Sequence, residues 1–252
     1  MKFDGFIFFT LSILVLIFSQ RLLQREIQII LLFFTRRPNL AIGIFSILLL
    51  PGVFLHEISH LLMAIILRVP VKKISLLPEV NKKGKIRLGY VQTLKTDIVR
   101  DSLIGLAPLI FGLVAVAFIG SSQLGLTNLV GLPYESNLNA FWVSLINLPR
   151  MTDFSLWLYL AFAISTTMIP SEADRQSWKL IILVMVIILA LIFISGLGGW
   201  MVENMYPFLN RWLMSISFVL MVSVCVHILI FIPTLIFRLG IFKLAGLKIA
   251  RV

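Results

Sequence analysis

The residues best placed to do chemistry are two histidines and a glutamate that share one turn of a predicted apolar helix. The sequence reads His56-Glu57-Ile58-Ser59-His60, an H-E-x-x-H motif. At about 3.6 residues per turn, His56 and His60 lie on one face of the helix and can bind the same tetrahedral metal ion. Glu57 lies beside that face, where it can act as general base toward a water that the metal activates. The motif therefore predicts a hydrolytic zinc centre.

The setting of the motif strengthens this interpretation. The chain has only three histidines, and two of them fall within the motif. Placing His, Glu and His in an otherwise apolar span costs several kcal/mol unless the groups are paired or bound to a metal. The alternative is structural, with two buried histidines bonded to neighbouring helices and Glu57 as an ion-pair partner. The third histidine, His227, lies within another apolar stretch and is interpreted as a packed polar residue rather than a ligand.

A zinc hydrolase needs a third protein ligand and an open position for water. Asp174 is the leading candidate, because Pro170 ends the preceding helix and Asp174 opens the next one. Residues 171–174 also form an S-x-x-D capping box, so spacing alone leaves a helix cap as an equal alternative. Glu172 is the next choice of ligand, whereas Asp153 is expected on the opposite side of the membrane.

The composition of the 252-residue chain indicates a polytopic membrane protein. Hydrophobic residues make up 60% of it and charged residues 13%, and the mean hydropathy is +1.04. These values exclude a disordered chain and a soluble globular enzyme. Six apolar stretches are long enough, or nearly so, to cross a hydrocarbon core of about 30 Å. They are residues 3–19, 40–67, 103–120, 154–168, 180–197 and 212–237. The expected fold is all-α, with about six transmembrane helices.

Two segments between these stretches have patterns of their own. Residues 20–38 mix basic and apolar side chains, which favours an interfacial helix, with a continuation of the first helix as the alternative. Residues 68–100 form a polar insertion in which β-prone residues at 72–77 and 85–93 flank a charged turn. They predict a small β-hairpin after the HExxH helix, at about residues 70–95, with a solvated basic loop as the alternative.

The sequence pattern divides the chain into three parts. Residues 1–39 are expected to form an N-terminal anchor helix and its interfacial segment, retained because no small-residue cleavage site follows the apolar run. Residues 40–197 form the membrane-embedded core that holds the motif. Residues 198–252 form a C-terminal transmembrane helix and a basic cytoplasmic tail. The single cysteine, Cys225, permits no intrachain disulfide.

The distribution of basic residues predicts the orientation. The formal net charge is +11, from 22 Lys and Arg against 11 Asp and Glu. On so apolar a chain this surplus indicates an anionic membrane surface rather than nucleic acid. With six spans, 16 of the 22 basic residues lie on one side, and nine of them fall within residues 68–100. The larger count should face the cytoplasm. The chain is therefore expected in the cell membrane, with the metal site opening toward the cytoplasm.

In three places the chain resembles the site-2 protease family of intramembrane zinc metalloproteases. These places are the H-E-I-S-H motif at residues 56–60, Gly105-Leu106-Ala107-Pro108 near the start of the next span, and the turn from Pro170 to Asp174. The common N-x-x-P-x-P-x-L-D-G of that family is absent, and residues 168–174 stand in its place. The chain is therefore similar to a divergent member.

The resemblance implies a three-helix catalytic core with zinc reached from the cytosolic side. It implies His56, His60 and Asp174 as the zinc ligands and Glu57 as the catalytic base. The implied activity is hydrolysis of a peptide bond in or near the transmembrane segment of a membrane-protein or peptide substrate. The alternative from another class is a non-enzymatic metal-binding membrane protein, a transporter subunit or a sensor, for which polar residues spread through the spans would be typical. Besides the substrate, the predicted partner is the lipid bilayer.

Overall fold

Helices make up most of the described chain, which comprises residues 4–75, 79–80, 86–87, 89–94, 96–125, 147, 149 and 152–245 of a computed structural model. In chain order the α-helices are α1 (Asp4–Thr35), α2 (Pro38–Leu48), α3 (Leu50–Ile66), α4 (Ile98–Phe118), α5 (Phe154–Thr167), α6 (Trp178–Ile194), α7 (Gly198–Asn204) and α8 (Tyr206–Leu244). A π-helix, Ile119–Gln123, follows α4 directly. The fold is thus of the predicted all-α class.

Among the described residues, three helices are long and apolar enough to cross a membrane: α1, α4 with its π-helix, and α8. Two bent pairs also qualify, α2 with α3 at 68° and α6 with α7 at 108°, which raises the number of candidate spans to as many as five. The sequence predicted about six, and the difference is α5, which is apolar but has 14 residues. The predicted single helix over residues 40–67 is two helices. The break follows from Pro51 in the first turn of α3, since proline has no N–H for a helical hydrogen bond.

The polar insertion after α3 forms the predicted antiparallel hairpin. Its strands are β1 (Val71–Ser75), β2 (Glu79–Val80), β3 (Ile86–Arg87) and β4 (Tyr90–Thr93). β1 pairs with β4, and β2 pairs with β3. A register shift between Val71 and Lys73 marks an irregularity of the kind that a β-bulge produces. The charged tip, predicted between residues 78 and 84, lies largely outside the described residues.

The helices α3 and α5 lie side by side and run parallel. Near their starts, the Tyr159 hydroxyl donates a hydrogen bond to the carbonyl of Leu48, just before α3, over 3.0 Å. One turn further along, Gly52 approaches Ala163 so closely that a Cβ on the glycine would overlap the Ala163 backbone. The C-terminal ends of both helices therefore lie at the same end of the bundle.

The helix α4 packs against both of these helices in the opposite direction. Phe118, at its C-terminal end, contacts Trp157 near the start of α5, with ring centroids 6.5 Å apart. Ile104, near its N-terminal end, contacts His60 in the second half of α3. The start of α4, the ends of α3 and α5 and the hairpin consequently meet at one end of this three-helix core.

The first and last long helices, α1 and α8, pack along each other and run parallel. The Gly5 N–H donates to Asn210 Oδ1 over 2.8 Å near the starts of both helices, and Glu26 forms an ion pair with Arg238 further along both. Residues 20–35 thus continue α1, which was the alternative to an interfacial helix. Asp4 and Leu244 lie at opposite ends of this pair, whereas an even number of spans such as the predicted six would place the start of the first span and the end of the last on one side of the membrane.

Candidate metal centre

Three side chains from two parts of the fold meet at the end of the core. His56 and His60 lie on α3, and Asp174 lies in the turn between α5 and α6. One donor atom from each lies within 4.8 Å of the other two. The two imidazole Nε2 atoms are 3.2 Å apart. Asp174 Oδ1 lies 3.3 Å from His60 Nε2, and its Oδ2 lies 3.6 Å from His56 Nε2. These are the three residues that the sequence singled out as metal ligands.

The spacing of these donor atoms fits a tetrahedral metal ion. Bonds of about 2.0–2.1 Å to zinc place any two ligand atoms of a tetrahedron about 3.3–3.4 Å apart. The Nε2–Nε2 separation of 3.2 Å and the 3.3 Å from His60 Nε2 to Asp174 Oδ1 lie close to that value, and the 3.6 Å from His56 Nε2 is measured to the other carboxylate oxygen, Oδ2. Two imidazoles and a carboxylate also form a ligand set that suits catalytic zinc, which has three protein ligands and an open position. The residues present therefore fit zinc.

The outer nitrogens of the two rings determine how the inner ones face. His56 Nδ1 lies 2.7 Å from the carbonyl oxygen of Thr167, and His60 Nδ1 lies 2.8 Å from that of Ile104. A carbonyl can only accept, so each Nδ1 carries hydrogen and donates it. In neutral rings both Nε2 atoms then direct lone pairs at each other and at a carboxylate. Such an arrangement needs positive charge, from a shared cation or from protons on the rings.

The Thr167 carbonyl is available because α5 ends there. Thr167 is the last residue of the helix, and the last carbonyls of a helix have no partner within it. The N–H four residues later belongs to Ser171, and it donates to Asp174 Oδ2 over 2.7 Å instead. The end of α5 thus supplies the acceptor for His56 and at the same time starts the turn that carries Asp174.

Asp174 is held by reciprocal hydrogen bonds with Ser171. Besides the bond to Oδ2, the Asp174 N–H donates to Ser171 Oγ over 3.3 Å. This is the predicted capping-box pairing, although α6 begins later, at Trp178. The same carboxylate faces both histidines, so cap and ligand are not exclusive alternatives. Burial opposes its ionisation, but the His56 and His60 rings, whose Nε2 atoms donate to the carboxylate when the rings are protonated, hold the pKa of the Asp174 carboxyl well below its usual range.

The first turns of α4 support the Asp174 turn from the other side. A Cβ on Gly105 would overlap the backbone carbonyl oxygen of Asp174. Close by, the Ser177 hydroxyl donates a hydrogen bond to the Asp101 carboxylate. A residue without a side chain at position 105 therefore lets α4 approach the turn directly.

Glu57 lies beside the three ligand candidates under the hairpin. Its side chain is buried, and the residue is 6% exposed. The carboxyl is near enough to interact electrostatically with both histidines, with Asp174 and with the backbone of Val91 in β4. Gly89 covers it closely, since a Cβ there would lie 2.9 Å from Glu57 Cγ. The position next to the donor atoms, outside their set, suits a general base.

The other residues considered from sequence lie elsewhere. Glu172 is exposed and belongs to no group of metal-ligating side chains among the described residues. Asp153 is exposed at the start of α5, at the end of that helix far from the histidines. His227 is fully buried, with its Nε2 3.2 Å from Ser165 Oγ and 3.1 Å from Thr166 Oγ1. It is a packed polar residue, as expected.

Sequence reasoning missed the main-chain contributions to this centre. The carbonyls of Ile104 and Thr167 orient both rings, but a main-chain acceptor exists at every residue and leaves no trace in residue type. Pro170 was the available signal for Thr167, because a helix that ends just before a proline leaves free carbonyls. Gly105 was noted through the family resemblance, without a physical role.

Comparisons with models of protein families, with curated proteins and with solved structures give no match to this chain.

Proposed function

We propose that the chain is an intramembrane zinc metalloprotease, similar to the site-2 protease family, that hydrolyses a peptide bond in or near the transmembrane segment of a membrane protein. The observation that carries this proposal is the convergence of His56, His60 and Asp174 at separations suited to a tetrahedral ion. A second carboxylate, Glu57, lies buried beside them without belonging to the group. A purely structural or storage site has no need of that fourth group.

The roles of the residues follow from their positions. His56, His60 and Asp174 would hold zinc, which when bound lowers the pKa of a water ligand to about 7 and polarises a carbonyl oxygen. Glu57 accepts a proton from water as the water oxygen bonds to the scissile carbon. It then delivers that proton to the nitrogen of the breaking C–N bond. The Val91 backbone and the close approach of Gly89 keep the Glu57 carboxyl in place for both transfers.

The hairpin supports a substrate in extended conformation. A transmembrane helix has each carbonyl bonded internally, so its segment must unwind before a carbonyl can be attacked. The strand β4 runs beside Glu57 at Val91, and Gly89, just before the strand, lies against the Glu57 side chain. An unwound segment that pairs with this strand would have its backbone groups satisfied while it lies next to the base.

We also propose that the chain lies in the cell membrane with this site opening toward the cytoplasm. Nine of the 22 basic residues fall within residues 68–100, which connect α3 to α4 at the end of the core where the site lies. Cytoplasmic loops collect Lys and Arg. Because α1 and α8 run parallel, Arg37, just after α1, and Lys243, in the last turn of α8, lie at the same end of that pair. The nine basic residues of the hairpin region are still the largest group of Lys and Arg in the sequence.

A cleavage assay on the purified full chain tests the proposal. The probe is a fluorescently labelled single-span peptide with a Gly-Pro pair in its apolar segment, reconstituted with the protein in lipid vesicles. The wild type should cleave it, and Glu57→Gln should lose activity by a factor on the order of 10²–10⁴ while keeping its zinc. Glu172→Gln, an exposed glutamate outside the group, is the matched control and should cleave normally. Turnover retained in Glu57→Gln would contradict the base assignment, and a zinc-loaded wild type without any cleavage would favour a non-enzymatic metal protein.

A further inference from the structure

We propose that Pro108 is a positioning residue of the metal centre, because its missing N–H leaves the Ile104 carbonyl free to hold the ring of His60. This inference rests on the proposed metal site, but it does not depend on proteolysis.

The hydrogen-bond pattern of α4 is interrupted at Pro108. In an α-helix the N–H of each residue donates to the carbonyl four residues earlier. Pro108 lies inside α4, four residues after Ile104, and proline has no N–H. The Ile104 carbonyl therefore loses its normal helical partner. His60 Nδ1 lies 2.8 Å from that oxygen and takes the vacant place as donor.

The environment of Pro108 differs from that of the other proline inside a described helix, Pro233. A proline in a helix interior is strongly unfavourable relative to alanine. Pro108 is nevertheless fully buried, at the heart of the three-helix core. Pro233 in α8 is also inside a helix, but it is exposed. In the part of the chain that the structure describes, no histidine donates a hydrogen bond to the Leu229 carbonyl that Pro233 releases, as His60 does to that of Ile104. The two prolines share the backbone effect and differ in what the freed carbonyl does.

The bond to the Ile104 carbonyl sets the orientation of the His60 ring in the site. The bond to Ile104 fixes which nitrogen of His60 carries hydrogen and turns Nε2 toward His56 and Asp174. One residue after Ile104, Gly105 meets the backbone of Asp174. Residues 104–108 of α4 thus position two of the three ligand candidates. Loss of such an outer partner typically weakens metal binding about 10–100-fold.

Metal affinity of Pro108→Ala in the full-length chain tests this directly. Alanine restores an N–H that competes for the Ile104 carbonyl, so the zinc affinity, measured by competition with a chromophoric chelator in detergent, should fall about 10–100-fold. The visible spectrum of the Co²⁺-loaded protein should change as well, because it reports ligand geometry rather than fold stability. Pro233→Ala is the matched control and should bind both metals like the wild type. Wild-type affinity and spectrum in Pro108→Ala would overturn the inference.

A backbone ester separates the missing N–H from the shape of the ring. Lactic acid, the α-hydroxy analogue of alanine, placed at position 108 removes the N–H without a pyrrolidine ring. We expect it to retain wild-type zinc affinity where Pro108→Ala does not, and an equally weak ester variant would overturn the inference. If Pro108→Ala fails to fold by size-exclusion chromatography, the comparison of the ester variant with the wild type decides alone. A wild-type chain that binds no zinc would overturn the metal site itself, and this inference with it.

Discussion

Gly105 faces the backbone carbonyl oxygen of Asp174 so closely that a Cβ at position 105 would overlap that oxygen. The carboxylate of the same aspartate lies 3.3 Å from His60 Nε2. The approach of α4 to the turn after α5 therefore sets the distance between a histidine on one helix and an aspartate that follows another. A substitution at this backbone contact should therefore change the affinity of the three residues for zinc.

Gly105→Ala should weaken zinc binding by about tenfold or more, because the added methyl group pushes the Asp174 turn away from the histidines. Equilibrium competition with a chelator measures the effect. Gly240→Ala in α8 is the control, since a Cβ there meets nothing within 4 Å. In a helix interior that change is neutral or stabilising by roughly 0.5–1 kcal/mol. Tight zinc binding in Gly105→Ala would mean that the contact does not position Asp174.

Asp174→Ala should lose the bound metal, because two imidazoles alone leave a zinc site one protein ligand short. Mass-spectrometric metal analysis of the purified variant provides the measurement. Glu172→Ala serves as control, since that carboxylate lies two residues away, is exposed and takes no part in the group. If Asp174→Ala holds as much zinc as the wild type, the residue acts in its hydrogen bonds with Ser171 and not as a ligand.

Gly89→Val should reduce cleavage without reducing metal content. A Cβ at this position would lie 2.9 Å from Glu57 Cγ and 3.1 Å from Val53 Cγ1, so the larger side chain must displace the Glu57 side chain or the hairpin. Misplacement of a catalytic group by about 1 Å can cost on the order of 10²-fold in rate. Peptide cleavage and zinc content are measured on the same preparation. Unchanged cleavage would show that the hairpin does not hold the base.

His227→Leu should destabilise the chain and leave its zinc in place. The imidazole is the partner of the buried hydroxyls of Ser165 and Thr166. Ser165 Oγ also donates to the Phe162 carbonyl, so leucine leaves the Thr166 hydroxyl without this partner, at a cost of about 1–3 kcal/mol. Thermal unfolding in detergent should show the loss, and Cys225→Ala, at an exposed position on the same helix, should not. A variant of normal stability that has lost zinc would instead make His227 part of the metal centre.

The features that sequence predicted well are those set by neighbours along the chain. The one-turn spacing of His56 and His60, the turn at Pro170 and the paired strands around residues 71–93 all depend on local geometry. Helical spacing alone places two histidines on one face. Asp174 was predicted from a helix break, and the same break proved to hold both the cap and the contact with the histidines.

The features that sequence missed depend on contacts between distant segments. The contacts of Gly5 with Asn210 and of Glu26 with Arg238 show that α1 lies parallel to α8. The sequence of either helix alone does not indicate which helix it packs against. Residues 20–38 looked interfacial because of charges such as Glu26, which instead becomes paired and buried in the helix contact. The orientation of both rings by main-chain carbonyls was equally hidden in the side-chain pattern, since it requires knowledge of which helix end lies beside which histidine.

The zinc content per chain, measured on the purified wild type beside His60→Ala, decides whether the metal centre exists. We expect about one zinc per wild-type chain, as three protein ligands around one ion require, and no stoichiometric zinc in the variant. Both proteins must be shown to be folded by the same size-exclusion profile. Equal zinc content in the two proteins, or a wild type that holds no zinc after growth with the metal, would contradict the metal centre and the hydrolytic function proposed for it.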